Sequence, residues 1–413
     1  MGVVKRGVFT GLALLAAAGV LFVPVQMSWS AAEPIKIGEV GPLSPPGGYA
    51  DGKLMLDAAL LAQDEINAKG GVLGRPIKIV EADTRGMPEE GTSAAERLTA
   101  QEHVAGIFGE FHSSVFLAEM EVAHKTHTPI IAVDVWADKI TATGYPEVFR
   151  VAPCQAIIAN RYGDWIAAAG FKNVVILYEK TDGGQSHRDV LEANLDRHHI
   201  HYDVVGADLN ATEFTAQIQR LLTHQPRYDM FATAFCEAGM YPLVSQSKSL
   251  GFAPTAQTAM YNSGGPATTP TFWKNVGEAG IGLVTEVPGL PKPKWNAKTN
   301  AFVAAFMKKF NSATTPQSME SYDAAYIMVD AIRRAGSTDP NAIIHALEAS
   351  HWSGTRGQYA FSTNHNPGWQ YHQFVDAPLN LIQFSKVGQT PEDAPVIWPR
   401  NLSTVPYTYK KPM

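Results

Sequence analysis

The feature that most constrains the fold is an alternation of short β-branched runs with longer segments of helical spacing. Ile35 to Val40 is a strand candidate, and Asp51 to Ala68 follows with apolar residues at helical intervals. The same order then recurs, with strands predicted at 76–83, 104–109 and 129–133 and helices near 89–102 and 113–126. This repetition predicts a parallel sheet with helices on both faces, which is a doubly wound α/β lobe.

The alternation restarts near Ala156 and predicts a second α/β lobe of similar plan. Its elements are helices near 156–169, 185–198, 212–223 and 237–250, with strands at 173–179, 202–207 and 228–235. Past Gly280 the pattern changes, because a strand at 282–287 is followed by helical stretches near 296–310, 318–335 and 341–349. Helices without intervening strands indicate the completion of an earlier lobe. From Thr390 onward repeated prolines predict an extended tail.

The first 32 residues have the pattern of an export signal. Lys5 and Arg6 precede an uncharged run from Val8 to Val23, and small residues at 28–32 offer a cleavage site. The run is roughly 16 residues, which is short of the ~20 that span a bilayer. Cys154 is the first cysteine, so no lipid-modified cysteine lies near the cleavage region. The sequence therefore predicts an exported, soluble protein without a lipid anchor, with a retained N-terminal anchor as the alternative.

The net charge of the chain and the catalytic motifs that its sequence lacks argue against several classes of function. The net charge is -6 and no run of Lys or Arg occurs, which argues against nucleic-acid binding. The sequence has no Gly-x-Ser-x-Gly elbow, phosphate loop or His-Glu-x-x-His helix, so we predict no enzyme and no cofactor. The histidines at 198–201 lie between a helix and a strand, opposite the ligand-binding edge, and we predict no metal site. Whether Cys154 and Cys236 form a disulfide stays open.

Open α/β sheets bind ligands at the carboxyl ends of their strands. The loop at 109–114 runs from a predicted buried strand into the start of a helix. Ser113 and Ser114 could cap that helix, and exposed backbone N–H groups would face the cleft. Such a site suits a carboxylate or another small anion.

The sequence resembles the type I periplasmic binding proteins, specifically the leucine/isoleucine/valine-binding family that serves ABC importers. The resemblance covers nearly all of the mature chain and is carried by residues 37–44, 66–74 and 109–114, with 145–150 similar to a crossing between lobes. It implies an α/β fold of two doubly wound parallel-sheet lobes, joined by a three-segment hinge and closing on a ligand.

With the crossings that the resemblance implies, the chain divides into four parts. The expected boundaries are a signal peptide at 1–32, lobe 1 at 33–152 plus 282–358, lobe 2 at 153–281 plus 359–388, and a Pro-rich tail at 389–413.

The resemblance also assigns ligand contacts residue by residue. Ser113 matches the serine that holds a ligand carboxylate, whereas Trp136 replaces the family's threonine. The family's ammonium-binding glutamate falls near Tyr261 to Ser263, where this chain has no acid, so Asp134, Glu110 or Glu237 would have to supply that charge. The candidate ligand-binding residues are Tyr49, His112, Ser113, Ser114, Asp134, Trp136, Cys236, Tyr261 and Asn262.

The resemblance, together with the export signal, implies a monomeric extracytoplasmic receptor that delivers a small molecule to the membrane permease of an ABC importer. The ligand classes are an amino acid, an amide, or an aromatic or short carboxylic acid, and Trp136 could stack on an aromatic or quaternary ligand. A sensing module of the same fold that signals to a partner is the alternative, and a periplasmic hydrolase is a third reading.

Overall fold

The computed structural model describes residues 1–3, 7, 33–209 and 211–405. The predicted signal peptide therefore lies outside the described residues, apart from residues 1–3 and 7. Within the described part of the chain, we find no helix with the length and apolar character that crossing a membrane requires.

The first sheet has five parallel strands among the described residues. They are β1 Ile35–Gly41, β2 Ile77–Asp83, β3 Ile107–Gly109, β4 Ile130–Ala132 and β5 Val148–Arg150, in the spatial order β2-β1-β3-β4-β5. The helices between them are α1 Tyr49–Ala68, α2 Pro88–Glu96, α3 Ser113–Lys125 and α4 Lys139–Ala142, and a π-helical turn, Arg97–Gln101, extends α2.

Successive residues of these strands point to opposite faces of the sheet. Phe108, Ile131 and Phe149 pack in one apolar cluster with α1. Their neighbours Ile107 and Ile130 pack in another cluster with α2 and α3. Helices thus cover both faces, as the doubly wound prediction requires.

The second sheet has seven strands among the described residues. The strands beyond β5 are β6 Asn173–Glu179, β7 His201–Ala207, β8 Met230–Ala234, β9 Ala259–Ser263, β10 Val284–Pro288, β11 Trp352–Gly354, β12 Gly357–Tyr359, β13 Leu379–Gln383 and β14 Val396–Trp398. The spatial order is β14-β13-β10-β9-β8-β6-β7, while β11 and β12 form a separate antiparallel pair. Strand β13 runs antiparallel to both of its neighbours, so this sheet is mixed rather than wholly parallel.

The remaining helices divide between the two sheets. They are α5 Gln155–Ala169, α6 Asp182–Arg197, α7 Thr215–Leu222, α8 Met240–Ser249, α9 Phe272–Val276, α10 Ala297–Phe310, α11 Pro316–Ala335 and α12 Pro340–Glu348. Helices α5 to α9 pack on the second sheet, and α11 and α12 pack with α1 on the first. Helix α10 also packs on α1. We call the first sheet with its helices lobe 1 and the second sheet with its helices lobe 2.

Two expectations near the carboxyl end need correction. The segment 282–358 was expected in lobe 1, but its first strand, β10, pairs with β9 and β13 in the second sheet. Strand β9 was not predicted, so the sequence pattern did not show that the second sheet continues through β10. Within the expected tail, β14 pairs with β13 and adds an edge strand to the second sheet.

The chain passes between the two sheets at three places: after β5, after β10 and before β13. Buried Arg150, at the first crossing, donates from its Nε to Gln373 at the third crossing and from Nη1 to the carbonyl of Ala137, 2.7 Å away. Buried Arg356 donates from Nη2 to the carbonyl of Val151 at 2.6 Å. These buried guanidinium groups fix the positions of the crossing segments against one another.

Candidate ligand-binding site

A cavity of about 180 Å³ lies between the lobes at the carboxyl ends of the strands. Lobe 1 contributes the loops after β2, β3 and β4, and lobe 2 contributes the loops after β6, β7, β8 and β9. The lining residues are Gly86, Pro88, Phe111, His112, Ser113, Ser114, Val115, Asp134, Trp136, Gln155, Glu179, Lys180, Thr181, Gly183, Leu209, Cys236, Glu237 and Gly265. The cavity therefore occupies the position at which open α/β sheets bind ligands.

Six of the nine candidate residues line this cavity: His112, Ser113, Ser114, Asp134, Trp136 and Cys236. The structure brings them together from three loops in two lobes. Tyr49, Tyr261 and Asn262 are not among the lining residues.

The three other candidates have different surroundings. Tyr49 begins α1 and is 47% exposed. Tyr261 is fully buried within β9, with its hydroxyl oxygen 2.9 Å from Nε2 of His187. Asn262 is buried in the same strand and donates from its amide to the carbonyl of Phe235 at 3.1 Å. The family comparison placed Tyr261 and Asn262 in the cleft, but β9 extends through Ser263 and the cavity-lining loop begins after it.

The loop between β3 and α3 depends on backbone shapes that few residues adopt. Gly109 has φ +140°, and a Cβ there would lie 2.0 Å from the carbonyl oxygen of Val40, so the position requires glycine. Glu110 follows with φ +68°. Its Oε1 accepts the backbone N–H groups of Phe111 and His112, each at 3.0 Å, which holds the loop in this strained shape.

Ser113 ties this loop to the next one. It is the first residue of α3, the cap position belongs to His112, and no side chain caps the helix, so the predicted capping by Ser113 or Ser114 is wrong. Instead, Ser113 Oγ accepts the backbone N–H groups of Trp136 at 3.2 Å and Ala137 at 3.1 Å. Since a hydroxyl carries one donor as well, its hydrogen can still be offered to a ligand.

His112 joins the two lobes across the cavity. Its Nδ1 lies 3.2 Å from Glu110 Oε1 in lobe 1, and its Nε2 contacts Glu237 Oε1 in lobe 2. Burial lowers the pKa of His112, but the two carboxylates outweigh burial and raise that pKa to about 10. The side chain is therefore an imidazolium at neutral pH, and both of its N–H groups are engaged.

Two further hydrogen bonds join the lobes. Ser114 Oγ accepts the backbone N–H of Asp182, at the start of α6, over 3.3 Å. Asp138, after β4, donates its backbone N–H to Ser186 Oγ at 3.1 Å. Together with the His112 to Glu237 contact, these bonds show that the lobes are closed around the cavity.

The lobe 1 wall also carries a chain of buried carboxyl groups. Asp134 Oδ1 accepts the indole N–H of Trp136 at 2.8 Å. Burial and the nearby Glu320 raise the pKa of Asp134 well above its ordinary value. Glu320 in turn lies 2.5 Å from Arg356 Nη1. This network positions Trp136, whose side chain closes one side of the cavity.

The lobe 2 wall presents two acids at the ends of neighbouring strands. Glu179 ends β6, is 1% exposed, and its Oε2 accepts the backbone N–H of Cys236 at 3.0 Å. Its Oε1 has no hydrogen-bond partner within the described part of the chain. Burial, with the nearby charge of Glu237, raises the pKa of Glu179 to about 7, although the Cys236 N–H opposes this shift.

Neither cysteine has the surroundings of a nucleophile. Both are free thiols, and Cys154 is buried whereas Cys236 lines the cavity. Burial, and then the carboxylates of Glu179 and Glu237, raise the pKa of the Cys236 thiol well above its usual range. An activated cysteine requires the opposite shift. Within the described residues, no cluster of three or more His, Cys, Asp or Glu side chains is arranged to hold a metal ion.

The candidate residues from the sequence do not include Glu179 and Glu237, the two acids of the lobe 2 wall. A usable signal was present, because the strand at 173–179 was predicted and Glu179 ends it. Applying the rule of carboxyl-end loops to lobe 2 as fully as to lobe 1 would have found this residue. The sequence offers Glu237 as a possible charge for a ligand ammonium group but gives no sign of its contact with His112.

Comparison with known proteins decides the family. The model of a family described as periplasmic binding protein matches residues 34–378. The chain belongs to this family. Among curated relatives of this periplasmic binding protein is the leucine-, isoleucine-, valine-, threonine- and alanine-binding protein of Pseudomonas aeruginosa, 24% identical over 80% of this chain and 86% of that protein. The prediction of a leucine/isoleucine/valine-binding relationship is confirmed.

Solved structures share the fold of this binding protein. The branched-chain amino acid binding protein LivJ of Streptococcus pneumoniae, in complex with isoleucine, has a TM-score of 0.77 at 20% identity, over 89% of this chain and 100% of that one. A solute-binding protein of R. palustris in complex with benzoate has a TM-score of 0.75 at 20% identity, over 88% and 95%. The predicted type I fold is therefore confirmed.

Proposed function

We propose that this chain is the extracytoplasmic solute receptor of an ABC importer and that it binds a small organic ligand, with its carboxylate or amide oxygen at the start of α3. The observation that carries the proposal is the position of the Ser113 hydroxyl and the α3 N-terminus in a cavity between two lobes. The first N–H groups of a helix and its dipole both favour an oxygen ligand of negative charge.

Other properties support delivery to a membrane transporter. The chain begins with an export-signal pattern. Its curated relatives are binding proteins for amino acids by name. One structural neighbour is described as a solute-binding protein of an ABC transporter in complex with benzoate, and another as the substrate-binding protein of a branched-chain amino acid transporter in complex with isoleucine. We therefore propose a periplasmic location and a permease that recognises the closed form.

The ligand would act by shifting an equilibrium between open and closed lobes. Contacts to Ser113 in lobe 1 and to the lobe 2 wall exist together only when the lobes are closed. A ligand that binds both walls thus favours the closed form by the difference between its affinities for the two states.

A thermal-shift panel on the mature protein tests the proposal, with amino acids, amides, aromatic acids and short carboxylates as probes. Replacing Ser113 by Ala should weaken the best hit about tenfold or more, since a hydrogen bond to a charged group contributes ~1.5–3 kcal/mol. The exposed Ser93, on α2, provides the control Ser93→Ala, which should leave affinity unchanged.

Two results would contradict this account. Unchanged affinity in Ser113→Ala would remove the serine from the site. A hit that raises the melting temperature without reducing the radius of gyration in X-ray scattering would contradict closure of the lobes.

A further inference from the structure

The walls of the cavity carry more negative than positive charge. His112 is a cation, but its two ring nitrogens contact the carboxyl groups of Glu110 and Glu237, so one positive charge faces two acids. Glu237 is 6% exposed. The other lining cation, Lys180, has its Nζ 2.8 Å from Asp208 and is largely exposed. The positive charge within the closed space is thus already neutralised by the protein itself.

Glu179 adds to this negative character. The carboxylate of Glu237, in the loop after the adjacent strand β8, is near enough to raise the pKa of Glu179, and Glu179 Oε1 lacks a donor within the described residues. In the ionised form of Glu179, a buried carboxyl oxygen without a donor is costly, and a ligand that supplies N–H groups would remove that cost and favour this form. This second observation points to a ligand with a donor nitrogen.

The acidic side chains of the cavity affect the binding of carboxylate ligands and of cationic ligands in opposite ways. A ligand whose only charge is a carboxylate must either add a second uncompensated negative charge to the closed cavity or take His112 from Glu237. In both cases one carboxylate is left buried without a cation, which is strongly unfavourable. A cationic nitrogen beside Glu237 has the opposite effect, because it supplies the missing positive charge.

Resting on the proposed function, we propose that Glu237, with Glu179 beside it, is the selectivity residue of this cavity: it admits ligands that carry a cationic nitrogen and excludes those whose only charge is a carboxylate. The acid occupies the loop after β8, whereas the family's ammonium-binding glutamate would fall in or just after β9, where this chain has Asn262 and Ser263. His112 holds Glu237 in place until the ligand nitrogen replaces it.

The test uses ligand pairs that differ by the ammonium group alone: leucine with 4-methylpentanoate, and phenylalanine with 3-phenylpropanoate. The simple amines of the same chains, 3-methylbutylamine and 2-phenylethylamine, complete each set. Titration calorimetry on the mature wild-type protein should show at least one nitrogen-containing member binding about 100-fold more tightly than its matched acid.

The variant Glu237→Gln keeps the shape of the side chain and removes its charge. It should weaken the nitrogen-containing ligand and strengthen the matched acid, so that the preference falls to about tenfold or less. Glu278→Gln removes the same charge from an exposed position in lobe 2 and should keep the wild-type preference. Circular dichroism and the melting temperature of each unliganded variant establish that it is folded, and the wild-type comparison needs no variant.

The outcomes separate the two proposals. Wild-type protein that binds the plain acids as well as the nitrogen-containing ligands, or better, overturns the role of Glu237 but leaves the receptor function intact. An unchanged preference in Glu237→Gln overturns it as well. If no ligand of either kind binds the wild type or the variant, in these sets or in the wider panel, the proposed function fails and this inference fails with it.

Discussion

Replacing His112 by Gln should remove a pH dependence that the wild-type protein shows above neutrality. The folded-state pKa of His112 is about 10, against 6.5 for an ordinary histidine. Between these values the folded protein binds a proton that the unfolded chain has lost. This contribution to stability is therefore fully present below about pH 6.5 and disappears as the pH rises through 10.

The size of the effect follows from the two pKa values. At about 1.4 kcal/mol per unit, His112 contributes about 4 kcal/mol at pH 7, and about 2.5 kcal/mol of this is lost between pH 7 and pH 9. For a chain of this length the change corresponds to a melting temperature lower by on the order of 3 °C. This decrease in melting temperature is an upper limit, because the carboxylates rearrange when the imidazolium loses its proton.

Calorimetric melting at pH 7, 8 and 9 measures the effect, and histidine NMR titration identifies the group. The resonance that is absent in His112→Gln should titrate near pH 10. His124→Gln is the control, because it removes a histidine 2.8 Å from a glutamate oxygen but outside the cavity. If the His112 resonance titrates below pH 7, the carboxylates do not hold the proton and the charge balance argued for the cavity is wrong.

Three further substitutions test the scaffold around the cavity by chemical denaturation. Gly264→Ala would place a Cβ 2.2 Å from a carbonyl oxygen at φ +140°, and should cost about 2–4 kcal/mol. Arg356→Met leaves buried Glu320 without its cation and should cost about 3–5 kcal/mol, part of which Glu320→Gln in the same chain should restore. Trp136→Phe keeps an aromatic wall but removes the N–H that Asp134 accepts, and should cost about 1–3 kcal/mol.

Much of the fold could be predicted, because most of its longer strands have a local sequence pattern that is typical of a buried strand. Asn173–Glu179 has the predicted bounds, and its apolar residues fill both faces of the sheet, as buried parallel strands require. Ala259–Ser263 was missed because it contains no β-branched residue. Its strand conformation comes from pairing with β8 and β10 on either side, which is a tertiary effect that a local pattern does not contain.

The loops of the candidate site could be predicted better than its contacts. The positions of His112 and Trp136 followed from the rule that ligands bind at the carboxyl ends of parallel strands. The same rule does not say which side chains meet once two lobes close. His112 and Glu237 are 125 residues apart in the chain, and their contact depends on the angle between the lobes rather than on either loop.

The contact between His112 and Glu237 changes the interpretation of the position near Tyr261 to Ser263, where the family has an ammonium-binding glutamate and this chain has no acid. The absence of an acid near Tyr261 to Ser263 argued against a ligand with an ammonium group, as long as that position was considered alone. The structure has an acid at the end of the adjacent strand, facing the same cavity and already paired with a cation from the other lobe. An acidic residue in the loop after either of two neighbouring strands can face the same cavity. If the proposed role of Glu237 holds, the chemical requirement belongs to the cavity, and we expect its net charge to predict the ligand class better than the identity of any single position.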